Sequence, residues 1–235
     1  MASVEGIIFS TSDNQFEEPM LRIIIVILSF GISSLSFAEM SVVLQAGTPG
    51  LGLQVQNSYG EYLGIRGVYN TFSIDYDRRV EGVDYDVDFE LDNFGLMVDW
   101  HPFKNGFRIS AGIMQNSNEV KGEANLVATQ NIGGVNFTPA QIGTLEADIE
   151  FNSTAPYLGI GYGHRFGSDR RWSVDFDLGI MFQGEPDVEL RGVGGLLQNN
   201  PAFIAAVEAE EAELEDDIDS FKYFPIITLG LSYKF

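Results

Sequence analysis

The last fifteen residues, Phe221 to Phe235, constrain the fold more than any other stretch. Taken in twos from the end, one face carries Phe235, Tyr233, Leu231, Leu229, Ile227, Pro225 and Tyr223. The other carries Lys234, Ser232, Gly230, Thr228, Ile226, Phe224 and Lys222. A period of two held over this length belongs to a β-strand with one dry face. The second face is small or charged except at Ile226 and Phe224. Aromatic residues stand near both ends of the dry face, where a strand crossing a bilayer meets its two water–lipid interfaces.

The same alternation recurs upstream. Leu51, Leu53 and Val55 alternate with Gly52, Gln54 and Gln56. A strand over 62–76 sets Leu63, Ile65 and Tyr69 against Gly64, Arg66, Val68 and Asn70. One over 83–101 sets Phe94, Leu96, Val98 and Trp100 outward and Gly95, Met97, Asp99 and His101 inward. The next, over 107–123, opens with Phe107, Ile109, Ala111 and Ile113 outward, and Arg108, Ser110, Gly112 and Met114 inward. Strands over 145–166 and 172–191 follow, the second read as running on past Pro186. Short turns are expected at 58–60, 102–106 and 167–170, and longer connections at 77–82, 125–145 and 192–220.

Short and long connections in alternation are the mark of a membrane barrel. The strands also exceed the length of about five or six residues usual in small sandwiches. Seven strands read directly, and an even count requires Ser41–Ala46 as a short first strand, giving eight. The predicted fold is therefore all-β: an antiparallel up-and-down transmembrane β-barrel of eight strands, with one short acidic helix, 201–219, in a long outer loop.

The charge balance narrows the partners. Thirteen Lys and Arg stand against 34 Asp and Glu, for a net charge of −21. Nucleic acid is disfavoured, because phosphate contacts need cations. The absence of cysteine excludes disulfide frameworks and thiolate metal sites. From Met20 the chain carries an address: Arg22, an apolar run from Ile23 to Ile32, then Ser36 and Ala38 flanking Phe37. That is the pattern of a signal peptide, 20–38, cleaved after Ala38; the apolar run is short for a membrane anchor. Residues 1–19 carry Glu5, Asp13, Glu17 and Glu18 ahead of the positive region, and are read as an upstream extension with translation starting at Met20. The barrel is then 39–235.

Signal peptide, alternating strands and terminal aromatic together resemble the small bacterial outer-membrane β-barrel proteins of the protein A (barrel part), protein W and opacity types, over about residues 41–235. The resemblance implies a Gram-negative outer-membrane location, contact with outer-membrane lipid and lipopolysaccharide, and reading of Leu231, Tyr233 and Phe235 by the barrel-assembly machinery. It is specific for architecture and leaves function open. The first expectation is a non-enzymatic structural or surface-interaction role. The alternative is a narrow channel for ions, small solutes or hydrophobic compounds. No cofactor is expected, and the oligomeric state is open.

Chemistry would hide on the inward face. Its charged residues are Arg66, Asp99, Arg108, Asp175 and Asp177, with Arg165, Lys222 and Lys234. An eight-stranded barrel is just wide enough for side chains to fill, so opposite charges there should pair. Asp99 and Arg108 flank one short turn and are expected to face each other. Such a set reads either as an ion-paired plug or as a narrow, gated path. Gly159, Gly161 and Gly163 leave room along one strand, which Arg108 and its partners are expected to fill. His101 and His164 lack a serine at the spacing of a lipid A deacylase, so both read as strand caps and no enzyme is expected. Asn200 and Pro201 open the helix, with Ile204, Val207, Leu214 and Ile218 on one face and Glu208 to Asp219 crowding the other. The acids read as a solvated face or as a divalent-cation site, with no EF-hand loop to support the latter.

Overall fold

A computed structural model describes residues 40–80, 83–166 and 171–235. The extension 1–19, the signal peptide 20–38 and the turn 167–170 lie outside the described residues. The described strands are, in chain order, β1 (Met40–Gly47), β2 (Gly50–Tyr59), β3 (Leu63–Val80), β4 (Val83–Trp100), β5 (Phe107–Asn116) and β6 (Glu119–Asn125). Then come β7 (Gln130–Ile132), β8 (Val135–Phe137), β9 (Gly143–Glu150), β10 (Thr154–Phe166), β11 (Trp172–Phe182), β12 (Asp187–Gly194) and β13 (Tyr223–Lys234).

Eight of these close an antiparallel barrel in the order β4, β3, β2, β1, β13, β11, β10, β5 and back to β4. The first strand is the closing partner of the last: β1 pairs β13 from Ser41↔Lys234 to Gly47↔Thr228, and β2 on its other side. The alternation read from the sequence is the burial pattern of these strands. β11 alternates exposed and buried without a break from Trp172 to Phe182. Ile226 lies inside, in an apolar lumen cluster against which Phe224 packs, which accounts for the two apolar residues on the polar face of β13.

Three long strands are interrupted where the sequence predicts continuity. The predicted 107–123 strand divides at Ser117 and Asn118, 145–166 at 151–153, and 172–191 at 183–186. Asn, Ser, Gly and Pro at these points offer local hydrogen bonds or remove a donor, and so compete with the ladder. Beyond the breaks, the far halves of β3 and β4 join β6, β9 and β12 in a five-stranded extension. The polar loop expected at 77–82 is shorter than predicted, since β3 runs to Val80 and β4 starts at Val83. The 125–145 connection holds the β7–β8 hairpin and a short helix, Pro139–Ile142.

A long helix, Pro201–Ile218, starts where the sequence places it. Asn200 caps it, its side chain accepting from the Ala202 N–H at 2.9 Å. Phe203, Ala206 and Val207 bury against Ile142, Val188 and Leu190 of the extension, with Leu214 and Ile218 at the margin. Its acids do more than meet water. Glu211 accepts from the Leu190 N–H at 2.7 Å and Glu215 from the Val188 N–H at 3.2 Å, so the free edge of β12 is capped by carboxylates. Four residues of helix rise about 6 Å and two of strand about 6.7 Å, so an i, i+4 pair matches alternate edge donors.

The dry side changes at the breaks. In the barrel it faces outward, as with Leu96, Ile113, Leu158, Phe176, Leu178 and Leu229. In the extension it faces inward, through Phe89, Val120, Ile149 and Val188 in one cross-strand row. The outer face there carries carboxylates: Glu90, Glu119, Glu150 and Asp187 in one row, and Asp88, Asp148 and Glu189 about the single Lys121 in the next.

Candidate functional site: the barrel lumen

The lumen is built in layers. At the end carrying Met40 and Phe235, a cavity of about 570 Å³ opens among Gln56, His101, Lys104, His164, Arg171 and Lys234, and reaches down to Asp99, Arg108 and Asp175. Its floor is the ion-pair layer. Arg66 bonds Asp99 at 3.1 Å and Asp177 at 3.0 Å, and Arg108 bonds Asp175 at 3.2 Å and Asp177 at 2.7 Å. None of these five side chains belongs to a residue more than 4% exposed. Asp177 is the hinge of the layer: its Oδ1 accepts from both Arg66 and Arg108, and its Oδ2 from Arg108.

Two guanidinium groups face three carboxylates, so the layer carries surplus negative charge. Hydroxyl donors meet it: Ser110 donates to Asp99 at 2.5 Å and Ser173 to Asp175 at 2.8 Å. Arg66 also donates to Gln54 at 3.1 Å. The expected contact of Asp99 with Arg108 across the hairpin does not form as an ion pair. Register sets Asp99 opposite Ser110, and the charge partner of Asp99 comes from β3 on its other side. Arg108 turns instead toward β11.

The glycine strand explains that turn. A Cβ at Gly161 would stand 2.6 Å from Arg108 Nε and 2.5 Å from Asp177 Oδ1. At Gly159 it would stand 2.3 Å from the Tyr157 hydroxyl. The absent side chains are thus replaced by Arg108 and by the Tyr157 ring. Tyr157 is buried with Val68, Met97, Met114, Ala155, Met181 and Ile226, the apolar layer of the lumen. Above it lies a collar of amides at the level of the strand breaks. Asn93 donates to Asn118 at 2.9 Å, Asn118 to Gln183 at 3.1 Å, and Gln183 to the Phe221 carbonyl at 2.9 Å.

The remaining inward charges lie outside these layers. Arg165 is exposed at the end of β10 and Lys234 is half-buried at the end of β13. Lys222, expected inward, sits in a 3-10 turn (Asp219–Lys222) at the far end and pairs Asp219 at 2.7 Å. Leu231 and Phe235 are exposed on the outward face of the last strand, with Tyr233 half-buried between them. Tyr233 packs edge-on to Trp172 and to Phe235. The sequence reading missed Tyr157 and the amide collar. Tyr157 sits two residues before the glycines and shares their inward parity, a signal that was present.

On the extension, Glu119, Asp148 and Glu150 bring carboxylate oxygens within 4.8 Å of one another. Burial, and then the charge of Glu119, hold the Asp148 carboxyl above its ordinary range. This cluster lies on the sheet, not on the acidic helix. A groove of about 880 Å³ runs between β12 and the helix, with Glu211 and Arg191 among its lining. Two of its polar groups are engaged: Glu211 caps Leu190 and Arg191 pairs Glu189.

No protein-family model matches the sequence, and neither does any curated protein. Among solved structures, the chain is similar to CarO2 of Acinetobacter baumannii, with a TM-score of 0.57 and 22% identity, over 84% of this chain and 98% of that one. CarO of the same organism superposes with a TM-score of 0.56 at 22% identity, over 86% of this chain and 100% of the other. At that identity the likeness is one of fold.

Proposed function

We propose that this chain is an outer-membrane barrel without enzymatic activity, closed to ordinary solutes, that serves the envelope as a structural and surface-interaction protein. The observation that carries the reading is the lumen: a charged layer and an apolar layer lie in series, and both are filled by side chains. Membrane placement is supported by the change of dry side at the strand breaks, since an outward apolar face suits lipid and an inward one suits water. The outward band of β11 runs from Trp172 to Phe182, 11 residues closed by an aromatic at each end, which suits one bilayer crossing. The similar solved structures share this fold over more than four-fifths of the chain, which adds support for the barrel architecture. In this placement the barrel end that carries Met40 and Phe235 is periplasmic, the extension faces outward near lipopolysaccharide, and the barrel-assembly machinery reads Leu231, Tyr233 and Phe235.

Purified wild-type barrel in a planar bilayer should pass no steady current; a stable porin-sized conductance would overturn the closed-lumen reading. Protease added to intact cells should cut near Leu196, which is 82% exposed, and leave the barrel whole. Cutting only after the outer membrane is permeabilised would invert the placement. One observation favours a second reading, a narrow gated path: the 570 Å³ cavity already leads from the terminal end to Arg108 and Asp175. In that case Met181→Ala, which thins the apolar layer, should convert silence into discrete current steps.

A further inference from the structure

The connection between β1 and β2 is only Thr48 and Pro49, so β2 begins at Gly50 and its ladder with β3 ends at Leu51↔Thr71. From Phe72 onward β3 has a ladder partner on one side alone, β4, among the described residues. The strand continues to Val80, leaving about 30 Å of edge whose alternate backbone groups face outward. Its two faces differ sharply. Phe72, Ile74 and Tyr76 are 40%, 49% and 49% exposed on the side that is dry elsewhere in the extension. The opposite side carries the exposed Asp75 and Asp77, each directly across from a second acid, Asp88 or Asp86. The other open edge of the same sheet, β12, is capped by Glu211 and Glu215; among the described residues no such carboxylate cap meets β3 from Phe72 to Asp75.

We propose that the β3 edge from Phe72 to Asp77 takes an added strand from a partner polypeptide, in a segment that alternates apolar and basic residues. An added strand completes the backbone ladder, and the period of two then assigns its side chains. One set lies on Phe72 and Ile74. The other lies beside Asp75 and Asp77, where like charges already oppose one another across the β3–β4 pair and a cation relieves them. A second copy of this chain is a poor occupant, because edge-to-edge pairing would bring its own aspartates against these. The inference is independent of the membrane placement and of the state of the lumen.

The test uses the full barrel in detergent micelles and two labelled synthetic peptides of equal length, one alternating lysine and valine, the other all lysine. The alternating peptide should bind at least about tenfold tighter, because only it gains ladder bonds and apolar contact. Ile74→Asn should weaken the alternating peptide alone, and Asp75→Lys with Asp77→Lys should weaken both. On the wild-type protein, bound alternating peptide should slow hydrogen exchange at the amides of 72–77, a reading that stands even where a variant fails to fold. Equal binding of the two peptides, no binding by either, indifference to Ile74→Asn, or unchanged exchange over 72–77 each overturns the proposal.

Discussion

Arg108 holds two aspartates of one strand at once, which only a planar fork of donors can do from a single position. Replacing it with alanine leaves Asp175 with no charge partner among the described residues and Asp177 with Arg66 alone, both side chains buried. Arg108→Ala should cost roughly 3–5 kcal/mol, read by denaturant unfolding in micelles, while Arg108→Lys should lose less. Packing against the glycine strand gives a second expectation. A Cβ at Gly179 would stand 2.6 Å from the Tyr157 ring, so Gly179→Ala should destabilise by about 1–3 kcal/mol through overpacking. All five charges of this layer were legible from inward parity alone. Their pairing was not, because parity says which way a side chain points and not how far neighbouring strands are staggered. Arg66 of β3 and Asp177 of β11 are 111 residues apart, on strands that are not neighbours, and meet across the lumen. Asp99 likewise turns to the strand before it, leaving Ser110 across the hairpin as its neutral partner.

Among the strands, the outward faces were legible throughout, and they carry the plainest prediction. Leu178 lies midway along the outward face of β11, between Trp172 and Phe182. Leu178→Arg should cost about 2–4 kcal/mol in a bilayer if that point is near the midplane. A variant of unchanged stability would remove lipid from that face. The strand breaks were not legible, although Asn116, Ser117, Asn118, Gly184 and Pro186 signalled them. The period of two continues across 117–118 and 151–153, so alternation alone cannot show that a ladder has been cut. The helix start was plain in Asn200 and Pro201, but its role was hidden. A run of acids looks solvated until the edge it caps is known. Glu211→Ala should leave the Leu190 amide without its acceptor, and hydrogen exchange there should rise well above that of the barrel strands.

On the scale of the whole molecule, one chain serves two surroundings, dry outside below the amide collar and dry inside above it. In the upper part, burial and then the neighbouring Glu119 carboxylate raise the Asp148 carboxyl. A carboxyl raised by the fold is least unfavourable while protonated, so its contribution is best below the ordinary carboxylate range and is lost as pH rises through the raised value. Acidification from neutrality to about pH 4 should therefore raise amide protection factors in β6 and β9, and Asp148→Asn should blunt the response. Three of the five strands that enter the extension are cut at the collar, and only β3 and β4 pass through it whole. In mechanical terms that hairpin is a beam and the other three strands are joints. Arg66 and Asp99 sit near its base, so a load at the tip runs along unbroken backbone into the charged layer, while the same load on β6, β9 or β12 ends at a joint stitched by asparagine and glutamine.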